Sequence, residues 1–196
     1  GDGARYDPVT DTWVPTGTGL APGGRVFHAA VWTGAEMIVW GGASEYPETL
    51  NSGGKYDAAL DSWSPTSVAP GVPPALRHAT AVWTGREMIV WGGWDSYLSF
   101  NSGGRYSPST DTWTPTATTG GWVLDARRSH AAVWTGSQMI VWGGVVSSSV
   151  FGTGGLYCVA SCVSPTTWYP DADGDGYGAG SAGVPSCTQP TGYVAV

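Results

Sequence analysis

The chain reads as an all-β protein assembled from repeated four-stranded antiparallel sheets, and three observations carry that reading. Val31-Trp32-Thr33-Gly34, Val82-Trp83-Thr84-Gly85 and Val133-Trp134-Thr135-Gly136 recur at an interval of 51, each followed shortly by Met-Ile-Val-Trp-Gly-Gly. Fixed periods of 20 to 50 residues or so mark repeat architectures. The 196 residues include 31 glycines, 14 prolines and 12 tryptophans, a turn-rich and aromatic-rich composition. No segment shows the 3.6-residue apolar period of a helix, and no apolar run approaches the ~20 residues of a membrane-spanning helix. The net charge of −7, with only 12% charged residues and no basic cluster, argues against nucleic acid as a partner.

Each repeat divides into four short strands. The stretch His-Ala-Ala-Val-Trp and the run Met-Ile-Val-Trp are continuously apolar, as expected of inner strands covered on both faces. Next comes a tyrosine segment, with Tyr6, Tyr56, Tyr106 and Tyr157 as its landmarks. Seven residues later stands Trp13, Trp63 or Trp113, in a segment that ends in proline and suits an outer strand. Ser164 replaces the fourth tryptophan, so repetition stops inside the fourth copy.

Loop lengths separate the two ends of these sheets. The turns at Thr33-Gly34-Ala35-Glu36 and Asp7-Pro8-Val9-Thr10-Asp11 are short and nearly constant between copies. At the opposite end the loops are long and differ in every copy: residues 43 to 51, 94 to 101 and 145 to 152, and residues 17 to 24, 67 to 76 and 117 to 126. A constant framework with variable loops on one face is how a scaffold presents a binding surface.

The Gly41-Gly42, Gly92-Gly93 and Gly143-Gly144 pairs, with the spaced tyrosine and tryptophan at about 50 residues per copy, resemble the kelch repeat of β-propellers over residues 1 to 157. The resemblance implies one four-stranded blade per copy: a partial blade over 1–16 and blades over about 25–66, 77–116 and 127–157. That makes about three and a half blades, fewer than the four to eight of closed propellers, hence an open or truncated propeller with a short irregular C-terminal tail. An open arc exposes its first and last blade faces and favours self-association or missing neighbours. In the alternative arrangement the N-terminal strands pair with the incomplete last blade.

His28, His78 and His130 fall at nearly the same place in each copy and read as structural; His78 is one residue farther from its tryptophan. Tryptophans 32, 40, 83, 91, 134 and 142 lie on the inner strands and read as core. Aromatics off the period stand in the variable loops: Tyr46, Trp94, Tyr97, Phe100, Trp122 and Phe151, beside Glu45, Glu48, Asp95 and Asp125. From these, Tyr46, Trp94, Asp95, Tyr97, Trp122 and Asp125 are the expected contact residues for an extracellular protein or carbohydrate. Gly152-Thr153-Gly154-Gly155 lacks the Lys-Ser/Thr pair and helix of a phosphate loop, and no Gly-x-Ser-x-Gly elbow occurs.

The tail carries the sharpest chemical motif, Asp171-Ala172-Asp173-Gly174-Asp175-Gly176-Tyr177. Side-chain oxygens of Asp171, Asp173 and Asp175 with the Tyr177 carbonyl suit Ca²⁺, a hard cation that takes six to eight oxygens. The twelfth position is Ala182 instead of the bidentate glutamate of an EF-hand. Residues 168–196 resemble the thrombospondin type 3 calcium repeats of bacterial surface proteins. The cysteines follow from that resemblance: Cys158 and Cys162, in a linker over 158–167, are near enough to pair, which leaves Cys187 for a partner outside the chain. Disulfides and weak calcium modules belong outside the cell, so the expected location is secreted or cell-surface. Gly1 to Tyr6 carries neither the basic nor the apolar region of a targeting signal.

The expectation is therefore a non-enzymatic extracellular binding scaffold with a calcium-stabilised spacer or anchor. Kelch-like propellers also include galactose-oxidase-type copper oxidases and sugar-modifying enzymes. Those oxidases need off-period histidine and tyrosine ligands and a cysteine near one tyrosine, whereas here the histidines are periodic and residues 1 to 157 lack cysteine. An intracellular kelch adaptor is a third reading, which would require reduced cysteines.

Overall fold

A computed structural model describes residues 3–45, 48–117, 124–158, 166–171, 178, 183–186 and 191–195. Among these there is no helix. The chain opens with a hairpin, β1 (Ala4–Asp7) and β2 (Thr12–Pro15). The first complete blade follows as β3 (Ala29–Trp32), β4 (Glu36–Trp40), β5 (Gly53–Asp57) and β6 (Ser62–Pro65). The second is β7 (Thr80–Trp83), β8 (Met88–Trp91), β9 (Gly103–Ser107) and β10 (Thr112–Pro115). The third has β11 (Ala131–Trp134), β12 (Gln138–Trp142) and, after a small hairpin of β13 (Val145–Val146) and β14 (Ser149–Val150), the strand β15 (Gly154–Cys158).

Both complete blades are up-and-down antiparallel sheets whose spatial order equals chain order, as the loop lengths predict. The innermost strands touch in the series β3, β7, β11, and the arc is not closed. The hairpin β1–β2 pairs only within itself and does not complete the third sheet, which excludes the alternative pairing. It corresponds to the outer half of a blade that would precede the first.

Blades pack face against face because their second strands alternate. Ile38 and Trp40 of β4 meet Met88 and Val90 of β8, with Tyr106 and Trp113, in one buried cluster. Ile89 and Trp91 on the opposite face of β8 meet Met139 and Val141 of β12 in the next. In Met-Ile-Val-Trp, alternate residues point to opposite faces, so the motif supplies both halves of the interface. The Gly-Gly pair carries the backbone into it. Gly41 and Gly42 have φ of 71° and 92°. The Gly42 N–H donates to Leu76 of the following blade at 2.8 Å, and a Cβ on Gly42 would stand 2.6 Å from the Val26 carbonyl. Only glycine fits there.

Three expectations need correction. Trp32 is 53% exposed and Trp142 60% exposed, so these two tryptophans are not core. Their partners Trp40 and Trp91 are buried because another blade covers them, and the outward faces of the first and last blades have no such cover. The tail is not irregular throughout: β16 (Thr166–Pro170) is the centre of a three-stranded antiparallel sheet with β17 (Val184–Ser186) and β18 (Tyr193–Ala195). Its Thr-Thr-Trp-Tyr run is β-branched and aromatic, which suits a pleated surface. The segment 158–167 accordingly begins and ends in strand, at Cys158 and Thr166.

Candidate functional site: the long-loop end

Backbone turns define the two ends of the arc. At the short end, Thr33 closes its turn by accepting the Glu36 N–H at 2.9 Å, and Thr84 and Thr135 repeat this with Glu87 and Gln138. Asp57 likewise accepts the Ala59 and Leu60 N–H groups. The opposite end carries the variable loops, and there the middle repeat is distinctive. Trp94 pairs through its backbone with Arg77 in both directions, at 3.0 and 2.9 Å. The Arg77 guanidinium lies 4.5 Å and that of Arg128, from the next blade, 4.8 Å from the Trp94 ring centroid. Arg128 also donates to the Ser99 hydroxyl at 3.2 Å. Trp94 is thus a half-buried ring clamped by two cations instead of a freely exposed platform.

Around this clamp the remaining expected residues take different roles. Asp95 caps its own turn by accepting the Tyr97 and Leu98 N–H groups at 2.8 and 2.7 Å, which lifts Tyr97 to 84% exposure at the loop tip. Asp125 is exposed, while its carbonyl accepts Nε of Arg127 at 3.1 Å. Phe100 packs against the core between the first two blades, and Phe151 lies 4.1 Å beneath the Arg127 guanidinium. Tyr46 and Trp122 lie outside the described residues. So Trp94, Asp95 and Tyr97 come together on one loop, next to arginines that sequence reasoning did not select.

Those arginines had a signal in the repeat. Arg25, Leu76 and Arg127 stand 51 apart, as do Val26, Arg77 and Arg128. At the first position the side chain points inward. Arg127, 1% exposed, donates to the Gly143 and Thr153 carbonyls at 3.0 and 2.9 Å, and Arg25 does the same to Gly41 and Ser52. Burial lowers the pKa of both groups. At the second position, Arg77 and Arg128 form the clamp.

The histidines divide in the same way. His28 and His130 occupy one position of the repeat and His78 the one before it, equivalent to Phe27 and Ser129. His130 is buried, with Nε2 2.7 Å from the Thr80 hydroxyl and its ring edge-on to Trp91. Burial, with Arg127 nearby, lowers its pKa to about 4. His78 stacks on Phe27 at 4.1 Å, and its backbone links Phe27 and Ser129 in a chain of hydrogen bonds along the inner rim. Ser129 Oγ is 3.4 Å from His78 Nδ1. A hydrolytic triad places a carboxylate behind such an imidazole, whereas the charged groups acting on His78 are Arg77 and Arg128, which with burial lower its pKa.

In the tail, Asp171 follows β16 and its N–H donates to the Gly192 carbonyl at 2.9 Å. Asp173, Asp175 and Tyr177 lie outside the described residues, as do Cys162 and Cys187. Among the described residues no cluster of three or more potential metal ligands forms, and no helix is long and apolar enough to cross a membrane.

Comparison with known families gives a match to the KLHDC2/KLHL20/DRC7 Kelch-repeats domain over residues 2–168. The chain belongs to the kelch-repeat family. Its four-stranded sheets are therefore kelch blades, and the kelch domain is a protein-binding β-propeller architecture. No curated protein matches the chain.

Proposed function

We propose that this kelch domain binds a protein segment bearing carboxylates at its long-loop end, and that it acts by recognition instead of catalysis. The observation that carries this reading is the Arg77–Trp94–Arg128 clamp beside the exposed Tyr97 tip. A chain of net charge −7 repels acidic partners at long range, so the half-buried Arg128 guanidinium beside this variable loop favours a local acidic contact, while the buried Arg77 packs against Trp94 and holds it in place. Arginine binds carboxylates bidentately, and an exposed tyrosine adds a rigid amphipathic surface. Panning a random peptide library against the whole chain tests it. Enriched peptides rich in Asp and Glu, with binding lost in Arg128→Ala and Tyr97→Ala, are expected. Enrichment that is indifferent to both substitutions rejects the reading, and carbohydrate arrays replace peptides as the next probe.

The calcium-dependent tail and the extracellular location belong to the same proposal. Their support is the spacing of Asp171, Asp173 and Asp175 and the cysteine content of the C-terminal segment. Calorimetric titration of Ca²⁺ into the chain and into Asp173→Ala should give saturable binding only in the former; no heat in either leaves the tail without a cation role.

A further inference from the structure

Adjacent blades meet along two seams of the same design. At the first, Gly42 N–H donates to Leu76 C=O at 2.8 Å, Leu76 N–H to Leu50 C=O at 3.1 Å, and His78 N–H to Phe27 C=O at 3.0 Å. One repeat later the same bonds run from Gly93 to Arg127 at 2.9 Å, from Arg127 to Phe100 at 3.1 Å, and from Ser129 to His78 at 3.1 Å. The seams differ in the side chains that close them. Leu76 and Ala79 serve the first, and at the equivalent positions Arg127 and His130 serve the second.

His130 fits the second seam only as the neutral imidazole. The residue is 6% exposed, its ring lies edge-on to Trp91, and a Cβ on Gly92 would stand 2.6 Å from its Cε1 atom. Nε2 is 2.7 Å from the Thr80 hydroxyl, while Nδ1 is buried with no hydrogen-bond partner among the described residues. An imidazolium carries two N–H donors, and this site offers one acceptor. Thr80 and Trp91, which face the ring from the second blade, carry no charge, and Gly144 behind it has no side chain. On its own segment the buried Arg127 already supplies a cation. Protonation inside the closed seam therefore leaves a buried donor unpaired and adds a second buried cation near the first, costs that solvent removes once the blades part.

We propose that proton uptake by His130 opens the second seam while the first stays closed, and that this parts the Arg128 guanidinium from Trp94. Arg127 and Ser129, whose backbone bonds cross the seam, flank Arg128 directly. Trp94 stays with the second blade, because its backbone pairs with Arg77 in both directions, and Arg128 stays with the third, paired in the same way to Val145. The cation–π contact and the Arg128–Ser99 bond therefore span the opening. A further consequence rests on the function proposed above: a loop end without its clamp releases a bound acidic segment on acidification. An open seam returns the imidazole to its ordinary pKa of 6.5 and a closed one holds it at about 4, so the open form gains about 20-fold between pH 7 and pH 5.

Amide exchange followed by NMR on the whole chain at pH 7 and pH 5, with each rate divided by its intrinsic value at that pH, tests the switch. Protection at Gly93, Arg127 and Ser129 should fall about 20-fold, while Gly42 and Leu76 at the first seam change less than about twofold. The half-buried His78 touches both seams, so a variant isolates His130. His130→Gln keeps a group able to bond Thr80, cannot take up the proton, and should erase the difference between the seams. Equal loss at both seams overturns the proposal, and so does constant protection at the second or a pH dependence that survives His130→Gln. A peptide of eight glutamates separates the switch from the reading of the loop end, since its own carboxylates titrate alike against either protein. Binding at pH 7 that weakens at pH 5 about 20-fold more in the native chain than in His130→Gln supports both, and equal weakening overturns the release. A second seam that opens in a chain indifferent to the peptide at pH 7 supports the switch and rejects the acidic ligand.

Discussion

At the residue scale, one aspartate per repeat ties each outer hairpin to the blade before it. Asp111 Oδ1 accepts the Tyr106 hydroxyl at 2.5 Å and the Ser67 N–H at 2.9 Å, and Asp61 does the same for Tyr56 and Gly17. Burial, then the Asp111 carboxylate, raises the Tyr106 pKa, so the phenol stays a donor. Among the described residues the third sheet ends at its third strand, β15, where the Ala117 N–H bonds to Tyr157. Tyr106→Phe should lower stability by about 1 kcal/mol. Tyr6→Phe should leave the denaturation midpoint unchanged, because Tyr6 meets Asp11 in an exposed hairpin. His130 sets the acid limit. Its folded pKa of about 4 lies below the ordinary 6.5, so the unfolded chain binds the proton more readily between those values. Its contribution is complete above pH 6.5, falls as pH drops towards 4, and is on the order of 3 kcal/mol. Urea unfolding of the native chain and His130→Gln between pH 4 and 7 measures this, and the variant should show the shallower pH slope.

At the element scale, burial is decided by which blade stands next to a strand. Trp40 and Trp142 are the same residue of the same motif, yet one is fully buried and the other 60% exposed. Trp40→Ala should cost about 3–5 kcal/mol by leaving a cavity, while Trp142→Ala should change the monomer's stability by less than about 1 kcal/mol. Chemical denaturation of both variants under conditions that keep the chain monomeric gives the comparison. The third strand has its own constraint: a Cβ on Gly103 would stand 1.9 Å from the Val90 carbonyl. Gly103→Ala therefore forces β8 and β9 apart and should cost more than about 3 kcal/mol, read from the same curves. The strands, their order and the short turns were legible in the sequence, because continuous apolar runs and Thr-Gly turns are local signals. The tail sheet was not, since its three strands are short and far apart in sequence, and only their pairing identifies them.

At the scale of the whole molecule, a scaffold of repeated blades carries one loop-end clamp that departs from the repeat. The clamp joins Arg77 and Trp94 of one blade to Arg128 of the next, so the proposed binding site depends on the packing of two blades. Trp94→Ala should leave the cooperative unfolding transition in place, because the ring is half-buried outside both core clusters, and should weaken peptide capture as Arg128→Ala does. Loss of the transition instead would make Trp94 a core residue. Of the candidate site, the sequence revealed the variable loops and their aromatics, because these break the 51-residue period. It did not reveal that Asp95 is spent on capping its own turn or that arginines enclose Trp94, because both depend on side chains meeting across loops. By itself the sequence determined the kelch blades and the end on which the long loops gather, since repetition and loop length are read along the chain. Only the tertiary structure decided which tryptophans are buried and which faces stand open, because identical motifs acquire different surroundings according to the blade that lies beside them.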